Sequence, residues 1–230
     1  MPASTEPQKL TIAVNERDSV SALLYKPTSK NRNSITLLLG HGAGANQMSA
    51  FMRMFASGMA ERGFDAMTFN FLYTEQGRGA PDPKAKLEAC NRAVIQTALK
   101  KLKKNHLIIG GKSMGGRIAS QVAAADGSGI SGLVFLGYPL HPPGKPEQKR
   151  DAHLKDIQAP MLFIQGTRDP FGTPDELKAI VKRDRLPATF LEIEGGDHSF
   201  KVPKSVGLSQ PEVFEMIMDK TAGWARDNLA

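Results

Sequence analysis

His106-Leu-Ile-Ile-Gly-Gly-Lys-Ser-Met-Gly-Gly116 is the stretch on which the reading of this chain turns. An apolar run leads into glycines, and a lysine and a serine stand between two glycine pairs. Two chemistries compete for it. Gly111-Lys112-Ser113 ends as a phosphate-binding loop does, but that motif needs a further glycine at position 106 and a flexible wrap between. Position 106 is His, and Leu107–Ile109 reads as strand, so the spacing fails. Gly111-x-Ser113-x-Gly115 fits the second chemistry. Here a strand turns sharply into a helix and presents a serine hydroxyl from strained backbone at the apex. Strand and helix pass close together there, and Gly111, Gly115 and Gly116 supply the space. The bland alternative is an ordinary strand–helix turn with an incidental serine.

The flanking sequence supplies the context this turn requires. Leu10–Val14 and Val20–Tyr25 read as a hairpin, and Ile35–Leu39 as a buried strand. A helix is expected over about 48–62, then a strand over Phe64–Phe71, a polar loop over Tyr73–Pro83 and a helix over about 84–103. The strand His106–Ile109 and the helix Met114–Ala125 enclose Ser113. Beyond them come the strand Gly132–Leu136, a Pro-rich loop over Tyr138–Pro146 and a short helix over about 148–155. The strand Met161–Ile164, a helix over about 175–181, the strand Thr189–Ile193 and a last helix over about 210–228 follow. The alternation predicts an α/β fold: a mostly parallel sheet of about eight strands with helices on both faces. No linker interrupts it, so residues 1–230 are expected to form a single domain.

A serine hydroxyl is a poor nucleophile without a base. In folds that carry this turn the chain order is serine, acid, histidine. Of five histidines, His41 and His106 come too early, and His141 and His153 lie in or beside the Pro-rich loop. His198 follows the last strand, where the base belongs. Asp169 follows the strand before it and is the expected acid. Asp197 is its rival, but adjacent side chains in a loop point apart, and an aspartate there is expected to structure the turn. Two backbone N–H groups must face the developing oxyanion. Met114, next after the serine, offers one. The other comes from His41-Gly-Ala-Gly-Ala45, with Ala43 the first choice and Gly44 the next. His41 is expected to brace this loop.

Composition narrows the classes further. The 230 residues are 40% hydrophobic and 23% charged, which excludes wholesale disorder. The apolar runs are too short to span a bilayer. Met1–Leu10 has no basic region leading into an apolar one, and Cys90 is the lone cysteine. A cytoplasmic protein with no disulfide and no cysteine-based metal site is therefore expected. The net charge of +7 is densest at Lys100, Lys101, Lys103 and Lys104. Cations suit a helix C-terminus, and no aromatic residue lies there to stack on a base, so no nucleic-acid partner is expected.

With these residues in hand the chain resembles the α/β-hydrolases, and within them a small bacterial group similar to dienelactone hydrolase. Eukaryotic relatives of that group include a testis-expressed hydrolase-like protein and a subunit of the non-specific-lethal histone acetyltransferase complex. The resemblance is carried by His41-Gly-Ala-Gly-Ala, Gly110-Gly-Lys-Ser-Met-Gly-Gly-Arg117, Gly137-Tyr-Pro-Leu-His-Pro-Pro-Gly-Lys145, Gln165-Gly-Thr-Arg-Asp-Pro-Phe-Gly172 and Gly195-Gly-Asp-His-Ser-Phe200. It implies Ser113, Asp169 and His198 as a triad, the same set that chain order selects. The group commonly carries Phe-Pro-Tyr where this chain has Phe71-Leu-Tyr73. Some relatives are binding or scaffold proteins, which sets a non-catalytic interaction module beside the enzyme.

Only Tyr138–Ile157 separates the sixth strand from the next apolar segment, too little for a large lid. An open, shallow cleft for a small-molecule ester is expected, served by no metal or organic cofactor, in a monomer or homodimer with no membrane span. Tyr138, Leu140, Met48 and Phe171 are expected to line it. Lys112 and Arg78 are placed to attract an anionic substrate; alternatively, Lys112 pairs with a carboxylate and holds the turn.

Overall fold

The computed structural model describes residues 6–28, 30 and 32–229. Residues 1–5, half of the stretch read for a leader, lie outside them. The eight strands form one sheet in the order β1-β2-β4-β3-β5-β6-β7-β8. They are β1 (Gln8–Ala13), β2 (Ser19–Tyr25), β3 (Ile35–Gly40), β4 (Asp65–Phe69), β5 (His106–Lys112), β6 (Ile130–Leu136), β7 (Met161–Gly166) and β8 (Ala188–Ile193). β2 is antiparallel to both its neighbours, and the pairs from β4 to β8 are parallel. β3, β4 and β7 are buried along their whole length, as strands covered on both faces must be. Edge strands β1 and β8 show mixed exposure.

The helices are α1 (Ala50–Glu61), α2 (Leu72–Glu75), α3 (Lys84–Lys101), α4 (Met114–Ala125), α5 (Pro174–Asp184) and α6 (Gln210–Leu229). α1 buries Met52, Phe55, Ala56 and Met59, the spacing of one helical face. It joins Val213, Ile217 and Trp224 of α6 on one side of the sheet. Leu87 and Val94 of α3, Ile118 and Val122 of α4, and Leu177 and Ile180 of α5 pack on the other. Among the described residues no helix is long and apolar enough to cross a membrane.

Two local expectations are corrected. The strand expected over Phe64–Phe71 stops at Phe69, and the loop after it opens with the single turn of α2. Phe71 N–H donates to His41 Nε2 at 3.2 Å, which takes the chain off the sheet. Leu72 occupies the first helical position of α2, one where proline is also favoured. The helix expected over about 148–155 is only a 3₁₀ turn at Leu154–Asp156. Upstream the backbone is engaged elsewhere: Arg150 N–H donates to the Leu140 carbonyl at 2.8 Å, and the Tyr138 hydroxyl donates to the Arg150 carbonyl at 2.8 Å. The segment between β6 and β7 is thus a compact loop and adds no layer over the strand ends.

From β3 the chain winds to β4, then crosses to β5 on the other side of β3. In open α/β sheets such a reversal opens a crevice at the carboxyl ends of the strands, where ligands bind. The loops after β3, β5, β7 and β8 meet there.

Candidate active site

Ser113 caps α4 with φ 50° and ψ −115°, in the positive-φ half of the backbone map that a serine rarely occupies. The turn is held by Ser113 N–H on the Leu136 carbonyl at 3.1 Å. Its glycines are steric necessities. A β-carbon at Gly111 or at Gly115 would fall 2.1 Å from the carbonyl oxygen of Gly40. Strand β3, the turn and α4 therefore pack backbone to backbone.

His198 Nε2 stands 2.8 Å from Ser113 Oγ, and His198 Nδ1 stands 2.7 Å from Asp169 Oδ2. A carboxylate only accepts, so Nδ1 carries the proton and Nε2 is free to accept the serine hydroxyl. Asp169 is buried, and its remaining capacity is filled. Oδ2 accepts Gln165 Nε2 at 2.9 Å, and Oδ1 accepts Phe171 N–H at 2.8 Å. Three residues from three loops thus form one hydrogen-bonded line. Asp197 does not join it. Its Oδ1 accepts the Ser199 and Lys201 N–H groups at 2.7 and 2.9 Å and shapes the loop that carries His198.

His41 is buried behind the loop after β3. Nδ1 donates to the Gly42 carbonyl at 2.8 Å, and Nε2 accepts Phe71 N–H. Burial lowers its pKa, so the ring is a neutral brace. That loop lies against the turn: a β-carbon on Gly42 would sit 3.7 Å from Ser113 Cβ. Met114 and Ala43 line the cavity in front of Ser113. Gly44 does not; it stands at the exposed tip of the loop with φ 71°, so its expected place beside the oxyanion is corrected.

Lys112 turns away from solvent. Its Nζ donates to the backbone carbonyl of His198 at 2.5 Å and lies 5.1 Å over the Phe200 ring. Burial pulls its pKa down to about 8, against the attraction of Asp169 and Asp197. Lys112 thus holds the turn through a carbonyl, not a carboxylate. Arg78 is paired with Asp82 at 2.6 Å and does not line the cavity, which corrects its expected role.

The cavity holds about 780 Å³. Phe171 lines it and lies 4.3 Å, centroid to centroid, from the His198 ring. The other three expected lining residues are elsewhere. Tyr138 is sealed beneath the strand ends against Phe135 and Phe163, and burial raises its pKa. Leu140 is buried under Gly172. Met48 is 54% exposed and off the cavity wall. In their place stand Phe51, Phe214, Arg117 and Arg150. Arg117 had a legible signal, since four residues after Ser113 is one turn along the same helix face. Arg150 had none.

The family model for the Alpha/beta hydrolase domain matches residues 33–226. Among solved structures the chain is similar to an α/β serine hydrolase homologue from Coxiella burnetii, at 18% identity and TM-score 0.72, covering 98% of this chain and 99% of that one. It is similar to a lidless α/β serine hydrolase from Xanthomonas campestris, at 19% and 0.76, covering 98% and 97%. It is also similar to a dienelactone hydrolase from Anabaena variabilis, at 17% and 0.77, covering 98% and 100%. At these identities the likeness is one of fold: an eight-stranded, mostly parallel sheet, helices on both faces and no lid. The family match spans the loops that carry Ser113, Asp169 and His198, and the chain belongs to the Alpha/beta hydrolase domain family.

Proposed function

We propose that this chain is a serine hydrolase that cleaves a carboxylic ester, thioester or lactone at Ser113. The single observation that carries the reading is the unbroken line from Asp169 through His198 to Ser113, ending on a serine held at positive φ. His198 Nε2 takes the hydroxyl proton as Ser113 Oγ attacks the carbonyl carbon. Asp169 holds the ring with Nδ1 protonated and stabilises the imidazolium that forms. The Met114 and Ala43 N–H groups receive the carbonyl oxygen as it becomes an oxyanion. His198 returns the proton to the leaving alcohol, then activates water to release the acyl group and restore Ser113. The substrate is a small molecule that reaches the strand ends directly, since no lid stands over them.

The competing reading is a scaffold that keeps the fold without the chemistry, as some relatives of the resembling group do. A fluorophosphonate probe separates the two. Labelling of the wild type that vanishes in Ser113→Ala supports the hydrolase. A folded wild type that takes no label and turns over no short-chain, aryl or lactone ester refutes it.

A further inference from the structure

The cavity wall is richer in positive charge than the proposed chemistry requires. Lys84, Lys112, Arg117 and Arg150 line it against a single carboxylate, Asp82, among the described residues. Lys112 is committed to the His198 carbonyl, and Lys84 is paired with Glu88 at 3.5 Å. The two arginines have no such partner. Buried Nε of Arg117 makes no hydrogen bond with the described residues, and Arg150 makes only a long contact from Nη1 to the Pro139 carbonyl at 3.4 Å. Carboxylates around them are already engaged: Asp82 with Arg78, Glu88 with Lys84 and Asp151 with Arg183.

A guanidinium does not lose its proton, so two of them in one wall cannot relieve their repulsion by titration. Burial lowers the Arg117 pKa first, and the neighbouring charge of Arg150 lowers it further. A folded chain keeps such an arrangement at a cost in stability unless an anion completes it. The geometry points inward. Arg117 lies four residues beyond Ser113 on α4, about 6 Å along the axis, and helical side chains lean toward the N-terminus. Its charge stands beside those of Arg150 and Glu88, in the wall of the cavity onto which Ser113 opens. Arg150 comes from the loop after β6 and is fixed by its N–H on Leu140 and by the Tyr138 hydroxyl on its carbonyl.

We propose that Arg117 and Arg150 form an oxyanion subsite in the cavity, so that the ester cleaved at Ser113 carries a second group, a carboxylate or a phosphate, a short spacer away. This rests on the hydrolase reading and names its substrate class. Guanidinium forks match both oxyanions in geometry.

The test compares kcat/KM for the nitrophenyl hemiester of succinate with that for nitrophenyl butyrate, an uncharged ester of similar length. The wild type is expected to favour the hemiester at least tenfold. Arg150→Gln and Arg117→Gln are each expected to lower the hemiester-to-butyrate ratio at least tenfold, mainly through KM. Free succinate and inorganic phosphate, tried separately as competitive inhibitors of butyrate cleavage, tell which oxyanion fits better. Equal kcat/KM for the two esters in the wild type overturns the subsite, as does a ratio unmoved in Arg150→Gln; that loop variant decides if Arg117→Gln fails to fold. Should neither ester nor the fluorophosphonate react, the hydrolase reading falls. The subsite is then judged by calorimetric binding of succinate and phosphate: binding weakened by Arg150→Gln upholds it, and no binding of either anion refutes it.

Discussion

Lys112 and His198 are joined by a bond that no active-site motif describes: the lysine Nζ donates to the histidine's backbone carbonyl. One end lies next to the nucleophile and the other on the base, so the contact ties the two loops at the point where their relative position matters. Lys112→Met keeps the length of the side chain and removes the donor. It is expected to lower kcat about tenfold, because a base displaced by a fraction of an ångström loses its alignment. Steady-state turnover of a short-chain ester measures this.

The same lysine gives stability a pH signature. Its pKa is about 8 in the fold, against an ordinary value of 10.5. Between these values the unfolded chain holds a proton that the folded chain has lost, so this group's contribution rises with pH. The wild type should gain on Lys112→Met from about pH 8 to pH 10, at up to about 1.4 kcal/mol per pH unit. Denaturant titrations of both proteins across that range provide the check; parallel curves contradict it.

Asp169→Asn is expected to preserve the fold and lower kcat by about 10⁴, since the amide cannot hold His198 in the working tautomer. A further cost of about 1–3 kcal/mol in stability is expected. Asp169 accepts from His198, Gln165 and Phe171, and an amide group must point its own N–H bonds at one side of that set. Ester kinetics and thermal unfolding read the two effects separately.

Gly115→Ala and Gly44→Ala are expected to part sharply. The first drives a β-carbon to 2.1 Å from the Gly40 carbonyl oxygen, which neither strand nor helix can yield. Loss of soluble folded protein, or a destabilisation above about 3 kcal/mol, should follow. Gly44 has open space around it and only a positive φ, so alanine there costs about 1–2 kcal/mol. Melting temperatures of the two variants separate steric from conformational cost.

A half-buried histidine, His153, sets the acid limit. His153 Nε2 lies 2.7 Å from Ser120 Oγ, which donates to the Arg117 carbonyl, so the ring acts as donor. Burial, then the charges of Lys84 and Arg117, pull its pKa down to about 4. As pH falls from about 6.5 the unfolded chain takes up a proton that the fold refuses, and stability is lost down to about pH 4. His153→Gln should flatten that limb. A limb of unchanged slope assigns acid sensitivity elsewhere.

What could be read in advance follows a physical division. The Ser113 turn and the parallel strands were legible because glycine spacing and apolar runs are local properties of the chain. Chain order then selected Asp169 and His198 as candidates. Tyr138 was misplaced because Gly137, at φ 72°, rotates the chain so that the ring drops into the Phe135 and Phe163 cluster, and one residue of rotation decides between cavity and core. The partner of Lys112 is a backbone carbonyl, which has no letter in the sequence. Arg117 and Arg150 meet only through the fold. The short helix expected near Gln148 failed because its backbone groups found tertiary partners first.

The strand order carries one more consequence. His198 leaves β8 and Ser113 leaves β5, with β6 and β7 between them. At the usual strand spacing the loop after β8 must reach back across about 14 Å of sheet. Its hold there depends on Asp169, Lys112, the turn that Asp197 organises and the burial of one apolar side chain, Phe200, in the core. Such a loop can detach while the sheet stays intact. Warming should therefore silence the protein reversibly some degrees before it melts, and cooling should restore it without refolding.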